Sequence, residues 1–208
     1  TGTFDALRVP LPRRVRQIEL SLERLRWLGQ TPDERFVAIN LPEFQLWAIP
    51  GRDEGGTPLQ MKVIVGATLT GTPVFVDSID ALEIHPYWNV PVSIAIKELV
   101  PRIAKDPGYL AHENMELVGA LPPGTSLHQA LEGGKVRIRQ KPGDKNALGT
   151  MKFVMPNRHS VYLHDTPSRQ LFARSRRDFS HGCIRVQKPG ELAAFVLRGR
   201  SGFGPDRV

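Results

Sequence analysis

The sequence predicts a mainly β fold with added helices and an inserted lid segment. Short runs of alternating or β-branched residues, bounded by turn residues, recur along most of the chain. Only three stretches carry helical periodicity. A long stretch rich in Pro, Gly and His, ending near Gly134, breaks the pattern in the middle.

The elements follow in order. Val15, Ile18, Leu22, Leu25 and Leu28 recur at spacings of three and four, which predicts an amphipathic helix over residues 10–28, started near Pro12 and stopped at Gly29. RFVAINL (35–41), FQLWAI (44–49) and LQMKVIVG (59–66) read as strands, with GRDEGG (51–56) as a hairpin turn. A further strand-like pair spans Pro73 to Ile84, and the aromatic and proline-rich run from His85 to Pro91 interrupts it. Val92–Lys105 turns helical, and the irregular stretch that follows is expected to be a lid over a site. KVRIRQK (135–141), MKFVM (151–155), SVYLHD (160–165) and His181–Val186 return to strand character, and Lys188–Leu197 forms a last helix. The expected organisation is a helical segment over 1–30, a main domain over 31–198 with 92–134 as a capping subdomain, and a tail over 199–208.

The 208 residues suit one domain with an inserted subdomain, and 40% hydrophobic against 24% charged residues is an ordinary globular balance. No stretch approaches the roughly 18 apolar residues of a membrane span, and TGTFDALRVP lacks the apolar region of a signal peptide. A formal charge of +7 attracts anionic partners without choosing among them. The densest basic run, Arg169–Arg177, has little aromatic interleaving and reads as a solvated basic face, so no nucleic-acid partner is expected. One cysteine rules out an internal disulfide.

That cysteine has telling neighbours. With residues 181–186 taken as a strand, Ile184 and Val186 face one side while His181, Cys183 and Arg185 face the other. A buried cysteine acting only as a small apolar group belongs on the first side. This one shares its face with two groups that carry positive charge, which favours the nucleophilic thiolate. Parity in SVYLHD likewise puts Tyr162 and His164 together, and a cysteine nucleophile needs a base, for which His164 and His181 are both candidates. His164, His181 and Cys183 also offer three zinc-type ligands, but no paired-cysteine or HExxH spacing supports a metal site.

His164, followed after fifteen residues by Ser180-His181-Gly182-Cys183, resembles the signature of the L,D-transpeptidase (YkuD-type) catalytic domain. INLPEFQLW, MKVIVG, PYWNVP, IRQKPGDKNALGTMKF, VYLHDTPS and FSHGCIRV are similar to the large Gram-negative members, covering most of residues 35–197. The resemblance implies a β-sandwich-like core, with Cys183 as the acylated nucleophile, His164 as the base and the Asp165 backbone carbonyl orienting it. His181 would line the site, Gly182 and Cys183 would supply backbone oxyanion donors, Arg185 would make electrostatic contact with substrate or thiolate, and Tyr162, by its parity, and Ser180 would meet substrate.

It further implies 3-3 crosslinking of peptidoglycan in the periplasm, with a tetrapeptide stem as donor and a diaminopimelate amine as acceptor, D-Ala being released. Carbapenem-type β-lactams would acylate the cysteine, and no metal or organic cofactor is required. Hydrolysis by the same acyl-enzyme, as an L,D-carboxypeptidase, and transfer to another amine remain open. The peptidoglycan-binding region and membrane anchor of the large members are not seen, so a processed or trimmed fragment is expected.

Overall fold

The computed structural model describes residues 4, 7–27 and 33–200. Its contacts divide into two units, one of residues 1–36 with 50–57 and one of 37–49 with 58–208. In the first unit, helix α1 (Leu11–Trp27) forms where the periodicity places it. Val15, Ile18 and Leu22 of its apolar stripe are exposed. Leu28 and Gly29, expected to end the helix, lie outside the described residues. The 50–57 turn is tied by Arg52–Asp33 (2.9 Å) and by the Arg35–Glu54 pair.

The second unit is mainly β with added helices, as the sequence predicts. Its large sheet contains β1 (Phe36–Asn40), β2 (Gln45–Ile49), β3 (Leu59–Gly66), β4 (Ala81–Ile84), β8 (Met151–Val154), β9 (Leu163–His164), β10 (Asp178–Ser180) and β11 (Ile184–Val186). The order is β1-β2-β3-β11-β9-β8-β4, with β10 parallel to β3, and the sheet curls into a half-barrel. Core residues alternate with site residues because successive side chains of a strand point to opposite faces. Leu82, Phe153, Leu163 and Ile184 sit at paired or adjacent positions across the strands and enter one apolar core, closed by Leu192, Ala193 and Phe195 of the last helix, α6 (Pro189–Leu197).

A smaller sheet, β5 (Trp88–Asn89), β7 (Arg137–Gln140) and β6 (Met115–Val118), has its own core of Val90, Ala95, Leu99, Ala130, Leu131, Val136 and Ile138. The helix after Pro91 runs as α2 (Val92–Ile94), a π segment (Ala95–Leu99) and α3 (Val100–Lys105). The Val100 N–H donates to Ala95 five residues back, widening the helix beside Pro101, which has no N–H to continue an α pattern.

Three expectations are corrected. The stretch before Gly134 is not irregular: it holds α4 (Tyr109–His112), β6 and α5 (Leu127–Glu132). A Ser126–Gln129 capping box starts α5, and β6 becomes a strand by pairing with the distant β7. Of the strand pair over 73–84 only β4 exists, since Val74 and Val76 point into solvent with no partner strand. The basic run is a solvated face only in part: Arg169, Arg174 and Arg176 are exposed, whereas Arg177 is not. Arg169 binds Asp165 at 2.9 Å, Arg176 binds Asp178 at 2.7 Å, and Arg177 is buried with its guanidinium donating to the carbonyls of Phe44 and Val63.

Candidate active site

The site face of the large sheet carries one row of directly opposed residues. Glu83 pairs Lys152, Lys152 pairs His164, and His164 pairs Arg185, so four strands place these side chains on one face, opposite the apolar row. His164 is buried, and its Nδ1 lies 2.5 Å from the Asp165 carbonyl. A carbonyl only accepts, so Nδ1 carries the proton and Nε2 keeps its lone pair. Burial first, and Arg185 second, push the His164 pKa down to about 3, which leaves the ring neutral at physiological pH.

The Asp165 carboxylate fixes that carbonyl. It accepts from the Thr150 N–H and hydroxyl, both at 3.0 Å, and from Arg169. Gly149 lies against it so closely, at φ +60°, that a Cβ there would come within 2.4 Å of Oδ2.

The residues before Cys183 differ from the strand that parity assumed. β10 stops at Ser180 and β11 starts at Ile184, with a bend between them turning on Gly182 at φ +124°. Few side chains adopt that conformation, so glycine belongs there. The Ser180 hydroxyl donates to the Cys183 carbonyl (2.5 Å) and accepts from the Gly182 N–H (3.1 Å), so it is spent inside the turn. The Gly182 N–H is therefore engaged within the turn. From outside the turn, Thr70 and Thr72 donate to the carbonyls of Ser180 and Gly182 at 3.1 and 2.7 Å.

His181 Nε2 meets the Glu98 carboxylate of the π segment at 2.6 Å. His164, His181 and Cys183 consequently do not converge as metal ligands, and no such cluster exists among the described residues.

The Cys183 thiol lies 3.7 Å from the Ser160 carbonyl. Burial pushes its pKa up, and the backbone and hydroxyl of Tyr162 together with the charges of Lys152 and Arg185 only partly offset this. The thiolate expected from the strand pattern thus gives way to a thiol at rest, because desolvation outweighs the two cations. Tyr162 neighbours the sulfur and Trp88 of β5, and its ring is 5.6 Å from that of His164. Burial and the neighbouring sulfur raise the Tyr162 pKa, keeping the phenol protonated. Arg185 is half-buried and its Nε has no hydrogen-bond partner.

Sequence reasoning missed Lys152, Trp88, Gly149 and the two threonines. Trp88 lay in a run already noted for its aromatics, whereas the other four become visible only once strand register is known.

A thiol, a neutral and oriented imidazole, and a preformed turn on a β scaffold define a site suited to nucleophilic acyl transfer. Residues 34–203 match the YkuD family, described as the L,D-transpeptidase catalytic domain, and the chain belongs to that family. It is also 33% identical over 188 residues to a Haemophilus influenzae protein described as "Putative L,D-transpeptidase". The match covers 88% of this chain and 37% of that relative, so the chain spans little more than a third of its length.

Proposed function

We propose that this domain is a peptidoglycan L,D-transpeptidase acting through a Cys183 acyl-enzyme. The observation that carries this reading is the His164 ring, whose Nδ1 is pinned to the Asp165 carbonyl so that Nε2 keeps the lone pair a base needs. Cys183 Sγ attacks the carbonyl of the third residue of a tetrapeptide stem while its proton passes to His164 Nε2. The oxyanion meets the Cys183 N–H, and collapse expels D-Ala, whose amine takes the proton back. A diaminopimelate amine of a second stem then gives its proton to His164 and displaces the sulfur, forming a 3-3 crosslink.

In this reading Arg185, with its unpartnered Nε, and Tyr162 contact the substrate. Ser180 and Gly182 shape the nucleophile's turn, and His181 with Glu98 fastens the 92–134 segment, read as the cap. Peptidoglycan places the activity in the cell envelope, on the periplasmic side. No metal or organic cofactor takes part.

Intact mass after incubation with a carbapenem tests the nucleophile. One adduct is expected on the wild type and none on Cys183→Ala. Absence of adduct on a folded wild type would sink the reading. Chromatography of products from a disaccharide tetrapeptide then separates outcomes: a 3-3 dimer supports transpeptidation, and tripeptide alone would make water the acceptor.

A further inference from the structure

The row of opposed residues contains one member to which neither the motif nor the proposed mechanism gives a task. Lys152 stands directly opposite His164, on the side away from Arg185, so the imidazole is bracketed by two cations. Its side chain is only 20% exposed, and Nζ lies 5.0 Å from the centre of the Tyr162 ring, a neighbour of the Cys183 sulfur. On its other flank Glu83 holds Nζ at 3.1 and 3.3 Å.

A cross-strand ion pair at a sheet surface contributes at most about 1 kcal/mol to folding, so cohesion alone is a weak reason for this arrangement. Position argues for more. A cation over the face of Tyr162 steadies that ring, and its field acts on the thiol through a largely dehydrated site.

We propose that Lys152 is a positioning residue of the acyl-transfer site, holding Tyr162 in place and promoting ionisation of Cys183, with Glu83 setting the strength of that effect. The proposal rests on the reading of Cys183 as nucleophile. The ionisable and charged groups acting on the thiol are Tyr162 beside β9, Lys152 on β8 and Arg185 on β11, and the same row carries His164 on β9 and Glu83 on β4. His181, two residues before Cys183, faces Glu98 instead. As sulfur attacks, it gives its proton to His164 Nε2 and its electron pair to the substrate carbonyl. A cation near the sulfur favours the charge that appears there before the new bond is complete, and a carboxylate on that cation damps the effect. Lys152 exerts the same direction of influence on the thiol as Arg185, both lowering its pKa against burial.

Cys183 is the only cysteine in the chain, so its alkylation by iodoacetamide, followed by intact mass from pH 6 to pH 10, reports ionisation without requiring transpeptidase turnover. Lys152→Gln is expected to move the midpoint up and slow alkylation near pH 7.5 about threefold or more. Lys152→Arg should stay close to wild type. Glu83→Gln should move the midpoint down and speed alkylation.

Opposite shifts in the Lys152→Gln and Glu83→Gln variants are not produced by general loosening, which would move both the same way. Superimposed profiles, or shifts of one sign, overturn the proposal, and if Lys152→Gln does not fold, an unshifted or upward-shifted Glu83→Gln profile does so alone. Opposite shifts together with failure of carbapenem to acylate the wild type would leave this charge coupling standing and remove the transpeptidase reading instead.

Discussion

His164 stays neutral because burial and Arg185 disfavour its cation, and that has a consequence for stability. Its pKa falls to about 3 in the folded chain, against an ordinary 6.5. Between those values the unfolded chain binds a proton that the folded chain refuses, so this contribution is complete above the unfolded value and is lost as the pH drops through the window. Relative to His164→Gln, the wild type should lose roughly 1 kcal/mol per pH unit below about pH 6.5. Urea midpoints of the two proteins at pH 7.5, 5.5 and 4.5 check this, and a constant gap between them would contradict it. At this scale the sequence was informative where chemistry is rare: one cysteine in an SHGC run, and a histidine on a strand of alternating parity. It named Ser180 and His181 for the site but not their partners, because an ordinary serine gives no sign that its hydroxyl will both donate and accept within the turn, and Glu98, the partner of His181, is 83 residues away.

Elements were legible where their patterning is local and obscured where partners are distant. The strands of 36–66 carry local alternation or β-branched content and form. The strand at 115–118 was lost inside an apparently irregular lid because only pairing with β7 makes it a strand. The loop from Lys141 to Thr150 is similarly ordered from afar: buried Asn146 donates to the Pro86 and Lys141 carbonyls, and buried Gln140 to those of Glu113 and Lys145. It ends on Gly149, whose place against Asp165 links loop shape to the orientation of His164. Gly149→Ala forces a left-handed φ on an L residue and drives a Cβ into the carboxylate, so about 2–4 kcal/mol of stability should go. Gly190→Ala in α6, where a Cβ meets nothing within 4 Å, should change stability by less than about 1 kcal/mol. Guanidinium denaturation of both variants gives the comparison, and equal losses would refute the assignment of Gly149 to close packing.

For the molecule as a whole, the formal charge of +7 spreads over a surface meant, on the proposed reading, for a polymer bearing carboxylates. Such attraction is screened beyond about 10 Å at 0.1 M salt. Co-sedimentation with isolated sacculi should therefore fall severalfold between 20 mM and 500 mM NaCl for Cys183→Ala, which cannot form the acyl-enzyme, and binding indifferent to salt would point to contacts other than charge. Composition made the sign of this field legible but not its arrangement, since several of the basic residues are occupied by internal partners, Arg169 and Arg177 among them. The alternation along β8 carries a last consequence. A slip of one residue would send Lys152 into the apolar core and stand Phe153 beside His164, so mispairing and loss of the site are the same event. Misaligned chains expose apolar surface and are removed as unfolded protein, while those that survive have their reactive residues in order. A purified sample should accordingly behave as a single population in active-site titration, with the core acting as the inspector of the chemistry on its opposite face.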